Sequence, residues 1–306
     1  MESTLNLVLT FIGCIGFLLN LIIIIKYIKK TKRSRTKLDL ILVNLALADI
    51  CFCLGVIIAF AVKLAKLDTS NNYLLVYWNV SQGVSFTASL LHIMLISVDR
   101  LIGVVYPFLY RGGYITTAQL TMVHVTLWFS SCLVTSTQFW LELVVIDIIV
   151  SVLISIAFIA ATVIYIIIGK SLNRSGEILR DDVNKRALRK RRKLQRIIFC
   201  FFLTVTFFAC NMPFVIANIY YDITGKEWSL KMAYINYFLL TINCTLDPIF
   251  YYLQFTLAKW INNLFQISRI KRAGARKVSK RVDDELMPTS NTSSVGINID
   301  NIDMIV

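Results

Sequence analysis

Residues Ser85–Pro107 read SFTASLLHIMLISVDRLIGVVYP. An apolar run long enough to cross much of a bilayer ends in an adjacent acid and base, Asp99 and Arg100. Apolar residues then resume and stop at Pro107. Charges at the edge of a membrane helix are costly unless they pair or reach water. Two readings follow: ordinary anchoring charges at a helix end, or a working pair at a membrane face. The rest of the chain decides between them.

Runs of the same kind recur on both sides of this stretch. The 306-residue chain is 57% hydrophobic and only 16% charged, too little charge to cover a soluble surface of this size. The apolar blocks are about twenty residues long, the length that crosses about 30 Å of hydrocarbon as a helix. They predict spans at 5–28, 38–63, 73–106, 117–140, 144–169, 197–221 and 232–253. With only 4 Pro and 12 Gly in the chain, long helices suit these blocks better than alternating barrel strands. The fold expected is therefore an all-α membrane protein, a seven-transmembrane helix bundle occupying 1–270. Over 255–271, FTLAKWINNLFQISRIK, apolar residues alternate at helical spacing with polar residues and the bases Lys259, Arg269 and Lys271, and residues 255–267 hold most of the apolar positions. They predict a short amphipathic cytoplasmic helix on the membrane surface. Residues 271–306 are first basic, then acidic and polar, the pattern of a disordered cytoplasmic tail.

Charge sets the topology. A net charge of +14 would suggest nucleic acid as partner of a soluble protein. Here the bases cluster between apolar blocks: from Lys26 to Lys37, at Arg111, and along the long loop Lys170–Arg196, with RKRRK at 189–193. By the positive-inside rule these loops are cytoplasmic, so the N-terminus is extracellular and the tail cytoplasmic. The first apolar run starts at Leu5 without a basic leader and is expected to insert directly as a span. All 7 cysteines fall inside apolar blocks, so neither an outer disulfide nor a metal-ligand spacing is expected.

Each span carries one further marker. Asn20 lies in the first, Asp49 within NLALAD in the second, Asp99-Arg100-Leu101 in the third, followed by Pro107. Trp128 lies in the fourth, Tyr165 in the fifth, Phe207, Cys210 and Pro213 in the sixth, and Asp247-Pro248-Ile249-Phe250-Tyr251 in the seventh. In this order the residues resemble a rhodopsin-like (class A) G-protein-coupled receptor over about Leu5 to Phe265. Leu101 stands where that family has Tyr after Asp-Arg, and Asp247 where its seventh helix has Asn before Pro. The resemblance implies a plasma-membrane receptor. Ligand binding outside would shift a two-state bundle that activates heterotrimeric G proteins inside.

The resemblance also assigns roles. Asp99 would hold Arg100 at rest, and Arg100 would then release toward a G protein. Phe108 would pack into that partner, and Tyr165 and Tyr251 would turn inward to support the open state. Pro213 and Pro248 remove helix hydrogen bonds and would act as hinges. Taken alone, Tyr165 and Tyr251 also fit interfacial anchoring. Asp49, Ser89, Asn243 and Asp247 match positions where the family holds a sodium ion among oxygens. Buried acids need partners or protonation, so a Na⁺ or proton site is one reading. A protonated Asp sharing hydrogen bonds with Asn20 is the other.

Departures from the family pattern narrow the branch. The outer cysteine of the third helix would fall at Leu75, and the short fourth-to-fifth loop around Glu142 has none. Ala157 replaces the fifth-helix proline, Asn211 the sixth-helix tryptophan, and Lys193 the acid that often pairs with the third-helix arginine. That last exchange implies weaker locking and raised basal activity. A short outer loop, no outer disulfide and Asp-Pro in the seventh helix resemble the melanocortin, lipid and cannabinoid receptor branch. The acids that melanocortin receptors use for peptides are not evident, since Ala59, Leu75 and Asn79 occupy those places.

The ligand is narrowed by exclusion. Gln82 stands where amine receptors need an aspartate, and Thr241 where opsins need a lysine. The expected pocket comprises Asn79, Gln82, Ser85, Phe86, Asn211, Phe214, Asn218, Tyr237 and Thr241. It is neutral, amide-rich and aromatic, and points to a small neutral or lipid-like ligand. The same amides equally fit helix-to-helix bonding. Membrane lipids and arrestin are further partners implied, the latter through Ser279, Thr289, Ser290, Thr292, Ser293 and Ser294. Met304-Ile305-Val306 fits a PDZ-type groove or a plain tail. A transporter or channel is the alternative function, because proline-broken helices with buried acids can line a path. Against it, no inverted repeat is visible and the spans are odd in number. No enzymatic constellation is expected: His92 and His124 lie in apolar runs without a nucleophile or metal partner at useful spacing, and His92 reads as a packing residue.

Overall fold

The computed structural model describes residues 2–31, 34–66, 72–113, 115–141, 143–177, 183–225 and 231–253. The chain divides into Met1–Thr256 and Leu257–Val306; the expected amphipathic helix and tail lie outside the described residues. The first unit is a helical bundle. Its elements are α1 (Glu2–Lys29), α2 (Lys37–Leu64), α3 (Asn72–Val105), the short α4 (Pro107–Arg111) and α5 (Thr117–Ser136). A 3₁₀ turn follows at Thr137–Phe139, then α6 (Leu143–Glu177) and α7 (Val183–Thr224). A last helix, α8, covers 231–253.

Six of these helices are long and apolar enough to cross a membrane: α1, α2, α3, α5, α6 and α7. The helix α8 is long but carries Asn236, Thr241, Asn243, Thr245 and Asp247. Side-chain distribution explains why the bundle suits lipid. Phe11, Met122, Val125, Phe129, Ile156 and Ile159 are exposed, while Asn20, Asp49, Ser97, His92, Ser131 and Thr241 are buried. Polar groups turned inward and large apolar groups turned outward is the arrangement hydrocarbon favours.

Local signals set the helix starts. Thr36 caps α2 by accepting from the Asp39 amide, and Asp39 reaches back to the Thr36 amide at 2.8 Å. This reciprocal box satisfies two orphan amides. Lys30, at the end of α1, pairs with the same Asp39 at 2.8 Å. Thr116 and Gln119 build the equivalent box for α5. Pro107 opens α4, where its missing N–H is not needed. Gly113 follows at φ +73°, a left-handed turn that only glycine adopts cheaply.

One difference from the sequence expectation stands out. The long loop expected over Lys170–Arg196 is mostly helical: α6 continues to Glu177 and α7 already begins at Val183. At about 1.5 Å per residue, both helices outrun the hydrocarbon by several turns. Lys, Arg, Gln, Leu and Ala are good helix formers and no proline intervenes. The helical assignment runs unbroken through Pro213 in α7 and through Pro248 in α8.

The main core joins α2, α3, α6, α7 and α8 through Ile41, Leu45, Ile93, Ile96, Ile154, Leu203, Phe207 and Tyr251. A second cluster, around Leu9, Phe52, Val56 and Phe60, ties α1 and α2 to α8 through Tyr234 and Tyr237. Close approach of α1 depends on Gly16. A Cβ there would lie 2.9 Å from both Cys53 Sγ and Thr245 Oγ1.

Candidate functional site

At one end of the bundle Asp99 and Arg100 sit in the last turns of α3, both buried. Arg100 Nη2 donates to Asp99 Oδ2 in an ion pair and also to the Tyr110 hydroxyl at 3.3 Å. Tyr110 reaches the guanidinium because Pro107 starts a new helix directly after α3 and folds α4 back against it; a Cβ on Gly103 would touch the Tyr110 ring. Burial raises the Tyr110 phenol above its usual range, and the Asp99 charge raises it further. The hydroxyl therefore keeps its proton at neutral pH. Phe108, next on α4, points away and is 86% exposed.

A second link lies two residues earlier on α3. Ser97 Oγ is 3.4 Å from Thr204 Oγ1 of α7, and the Tyr165 hydroxyl of α6 is 3.1 Å from the same oxygen. Thr204 donates to the Cys200 carbonyl at 2.9 Å, so Tyr165 is the donor to Thr204. Three helices thus meet at one threonine oxygen. Tyr251 is buried in the main core, its ring 6.1 Å from that of Tyr252.

At mid-bundle, Ser89 Oγ donates to Asp49 Oδ1 at 3.3 Å. Asp49, Ser89, Asn243 and Asp247 are all at most 5% exposed, and the two carboxyls lie within electrostatic reach of each other. Asp49 Oδ2, both Asp247 carboxyl oxygens, Asn243 Oδ1 and Asn20 Oδ1 have no hydrogen-bond partner. Asn20 does not serve the carboxyls with its amide. Its Nδ2 donates to the Gly16 carbonyl at 3.0 Å and to the Cys244 carbonyl at 2.8 Å. Among the described residues, no three His, Cys, Asp or Glu side chains gather into a metal site. The unpartnered groups are all oxygens, the donor set that a hard cation takes.

Toward the other end, α3 and α7 face each other through aromatic rings. Phe86 lies 6.1 Å from Phe207 and 6.5 Å from Phe214. Asn211 and Asn218 share the α7 stripe with Phe207 and Phe214 at helical spacing, and Gln82 precedes Phe86 by one turn of α3. Gln82 Nε2 donates to the Phe52 carbonyl at 3.2 Å and Asn211 Nδ2 to the Phe207 carbonyl at 2.6 Å. Gln82 Oε1, Ser85 Oγ, Asn211 Oδ1 and Asn218 Nδ2 are left without partners. The other pocket candidates fall elsewhere or are engaged. Asn79 is exposed. Thr241 donates to the Tyr237 carbonyl at 2.6 Å. The Tyr237 ring packs 5.7 Å from Phe60 and 5.5 Å from Trp78.

Sequence reasoning missed two features. Tyr110 carried a usable signal, three residues after a helix-starting proline that follows Asp99-Arg100. The pair His92 and His124 carried none, because the residues lie on different helices. His92 Nε2 is 3.1 Å from His124 Nδ1, and His92 Nδ1 is 2.7 Å from the Ala88 carbonyl. A carbonyl only accepts, so His92 holds its proton on Nδ1. For neutral rings, His124 Nδ1 then donates to His92 Nε2. The rings are within 6° of parallel, and the pair joins α3 to α5. Trp128 completes this contact and donates to Asn44 of α2 at 3.3 Å.

The side chains of Leu75, Arg111, Glu142 and Lys193 lie outside the described ones. Comparison with curated proteins gave no match. Residues 19–145, from α1 to the start of α6, match the family model described as 7 transmembrane receptor (rhodopsin family), and over that stretch the chain is similar to this family.

Proposed function

We propose that the chain is a rhodopsin-like G-protein-coupled receptor, with its N-terminus outside the cell and the Arg100 end of the bundle in the cytoplasm. The observation that carries this reading is the state of Arg100. Its guanidinium is buried, paired to Asp99 and bonded to Tyr110, at the end of the bundle where the basic loops lie. Removing one partner from a buried ion pair leaves an uncompensated charge. The pair is therefore a latch, and it opens when a partner offers the guanidinium other acceptors. Exposed Phe108 beside it is the apolar contact for a heterotrimeric G protein. Tyr165 and Thr204 join α6 to α7 beside the latch, and Pro213 in α7 and Pro248 in α8 are the places where their helices give way.

Ligand enters from the opposite end. The unpartnered atoms of Gln82, Ser85, Asn211 and Asn218 supply acceptors and a donor but no charge. A buried polar atom without a partner costs about 1–3 kcal/mol, so a small neutral ligand carrying its own hydrogen-bonding groups gains by binding there. At mid-bundle, Asp49, Ser89, Asn243 and Asp247 would hold Na⁺, which supplies a positive charge between the carboxyls. The match over 19–145 supports the receptor reading over transport, and so does the Asp99–Arg100 latch, for which a transporter has no use.

The test is second-messenger signalling in cells, measured without ligand and against a library of small neutral compounds, with Arg100→Ala expressed to the same surface level. Signal in the parent and none in the variant is the outcome expected. Substrate uptake or current that persists without any transducer would favour the transporter.

A further inference from the structure

The helices α6 and α7 touch at two aromatic crossings. Phe158 meets Phe208 edge to face, with centroids 5.2 Å apart, and Tyr165 meets Phe201 in the same manner, also at 5.2 Å. On each helix the two crossings are seven residues, or two turns, apart, about 10 Å along the axis. Between them stand Ala161, Thr162, Thr204 and Val205, which are too small to close the gap. The result is a cleft of about 500 Å³ on the outside of the bundle, within the range of sites that hold small molecules.

Its chemistry selects the occupant. Ala161, Thr204 and Phe208 form a buried floor, while Phe158, Ile166, Phe201 and Val205 are exposed around it. On a membrane-spanning bundle, that exposure is to hydrocarbon. Every hydroxyl in the cleft has already placed its proton. Thr162 donates to the Phe158 carbonyl at 2.8 Å, Thr204 to the Cys200 carbonyl at 2.9 Å, and Tyr165 to Thr204 at 3.1 Å. A ligand with polar groups would lose their hydration and find no free donor in return. An occupant without polar groups loses nothing and replaces a void with contacts.

We infer that the α6–α7 cleft is a binding site for a single acyl chain of a membrane phospholipid, seated between the Phe158–Phe208 and Tyr165–Phe201 ring pairs. The chain covers the Tyr165–Thr204 bond from the lipid side. This inference needs only the membrane-embedded bundle and not the receptor reading.

The test uses the full-length protein in lipid nanodiscs containing a phospholipid with a photoactivatable group on one acyl chain. Cross-links are mapped by mass spectrometry. Labelling of 158–166 and 201–212 should exceed, several-fold, labelling of the lipid-facing residues Met122, Val125 and Phe129 on α5, which are all more than 60% exposed. Ala161→Phe should fill the floor and bring the excess down to parity, with α5 labelling unchanged. Val205→Phe, which narrows the mouth without touching the core, should do the same and covers the case in which Ala161→Phe does not fold. A photoreactive sterol should label both faces equally. Equal labelling of the cleft and α5 in the parent would overturn the inference, as would excess labelling that survives a folded filling variant. Preferential labelling by the sterol probe would overturn the choice of an acyl chain.

Discussion

Tyr110 holds the guanidinium of Arg100 from a different helix than Asp99 does, at 3.3 Å from Nη2. The guanidinium is therefore held from two sides, by its own helix and by α4, and the proposed latch would have two parts. A hydrogen bond to a charged group contributes about 1.5–3 kcal/mol, and about 1.4 kcal/mol is tenfold in an equilibrium. Tyr110→Phe keeps the ring and removes the bond. Its ligand-free nucleotide exchange should rise about tenfold over the parent, measured at equal surface expression. Unchanged exchange would mean that Asp99 alone sets the resting state.

Mid-bundle carboxyls give a second prediction. With Asp49 Oδ2 and both Asp247 oxygens unpartnered, a cation held among them, as proposed, would stabilise the arrangement seen here. Replacing choline by sodium in the buffer should lower basal exchange, and Asp49→Asn should flatten that response. Asp247→Asn leaves one carboxylate and should weaken it without abolishing it. A parent protein indifferent to sodium, with Asp49→Asn behaving like the parent, would leave the carboxyls to share protons.

The histidine pair predicts a stability effect. The His124–His92 hydrogen bond crosses between α5 and α3 in a buried setting, and its net contribution is about 0.5–1.5 kcal/mol. A double-mutant cycle with His92→Phe and His124→Phe, read by thermal unfolding in nanodiscs, should return a coupling of that size. Additive effects would mean that the rings pack without bonding.

Close packing of α1 predicts a steric failure. A Cβ at Gly16 would lie 2.9 Å from Cys53 Sγ and from Thr245 Oγ1. Overpacking of this kind costs about 1–3 kcal/mol. Gly16→Val should reduce surface expression and thermal stability, whereas Gly169→Ala, where a Cβ meets nothing within 4 Å, should leave both near the parent's values.

What was legible in the sequence followed from periodicity and length. Apolar blocks near twenty residues separated by basic loops fix a helical membrane bundle, because no other use of such blocks satisfies the backbone in lipid. Asp99-Arg100 was legible because adjacent opposite charges interrupt an otherwise apolar run. The links between helices were not. Thr204 reads as one hydroxyl in an apolar helix, and only the packing of α3, α6 and α7 brings Ser97 and Tyr165 to it. His92 and His124 are separated by a turn and a short helix, so spacing along the chain says nothing of their bond. The long basic segment was read as a loop from its charge, yet charged residues of high helix propensity extend α6 and α7 well past the membrane.

The latch is tested most directly with purified protein in nanodiscs and a purified heterotrimeric G protein, by following nucleotide exchange for the parent and Arg100→Ala at matched folded amounts. The parent should accelerate exchange without ligand, and the variant should fall to the rate of empty nanodiscs. Equal acceleration by both proteins would contradict a mechanism that works through this guanidinium.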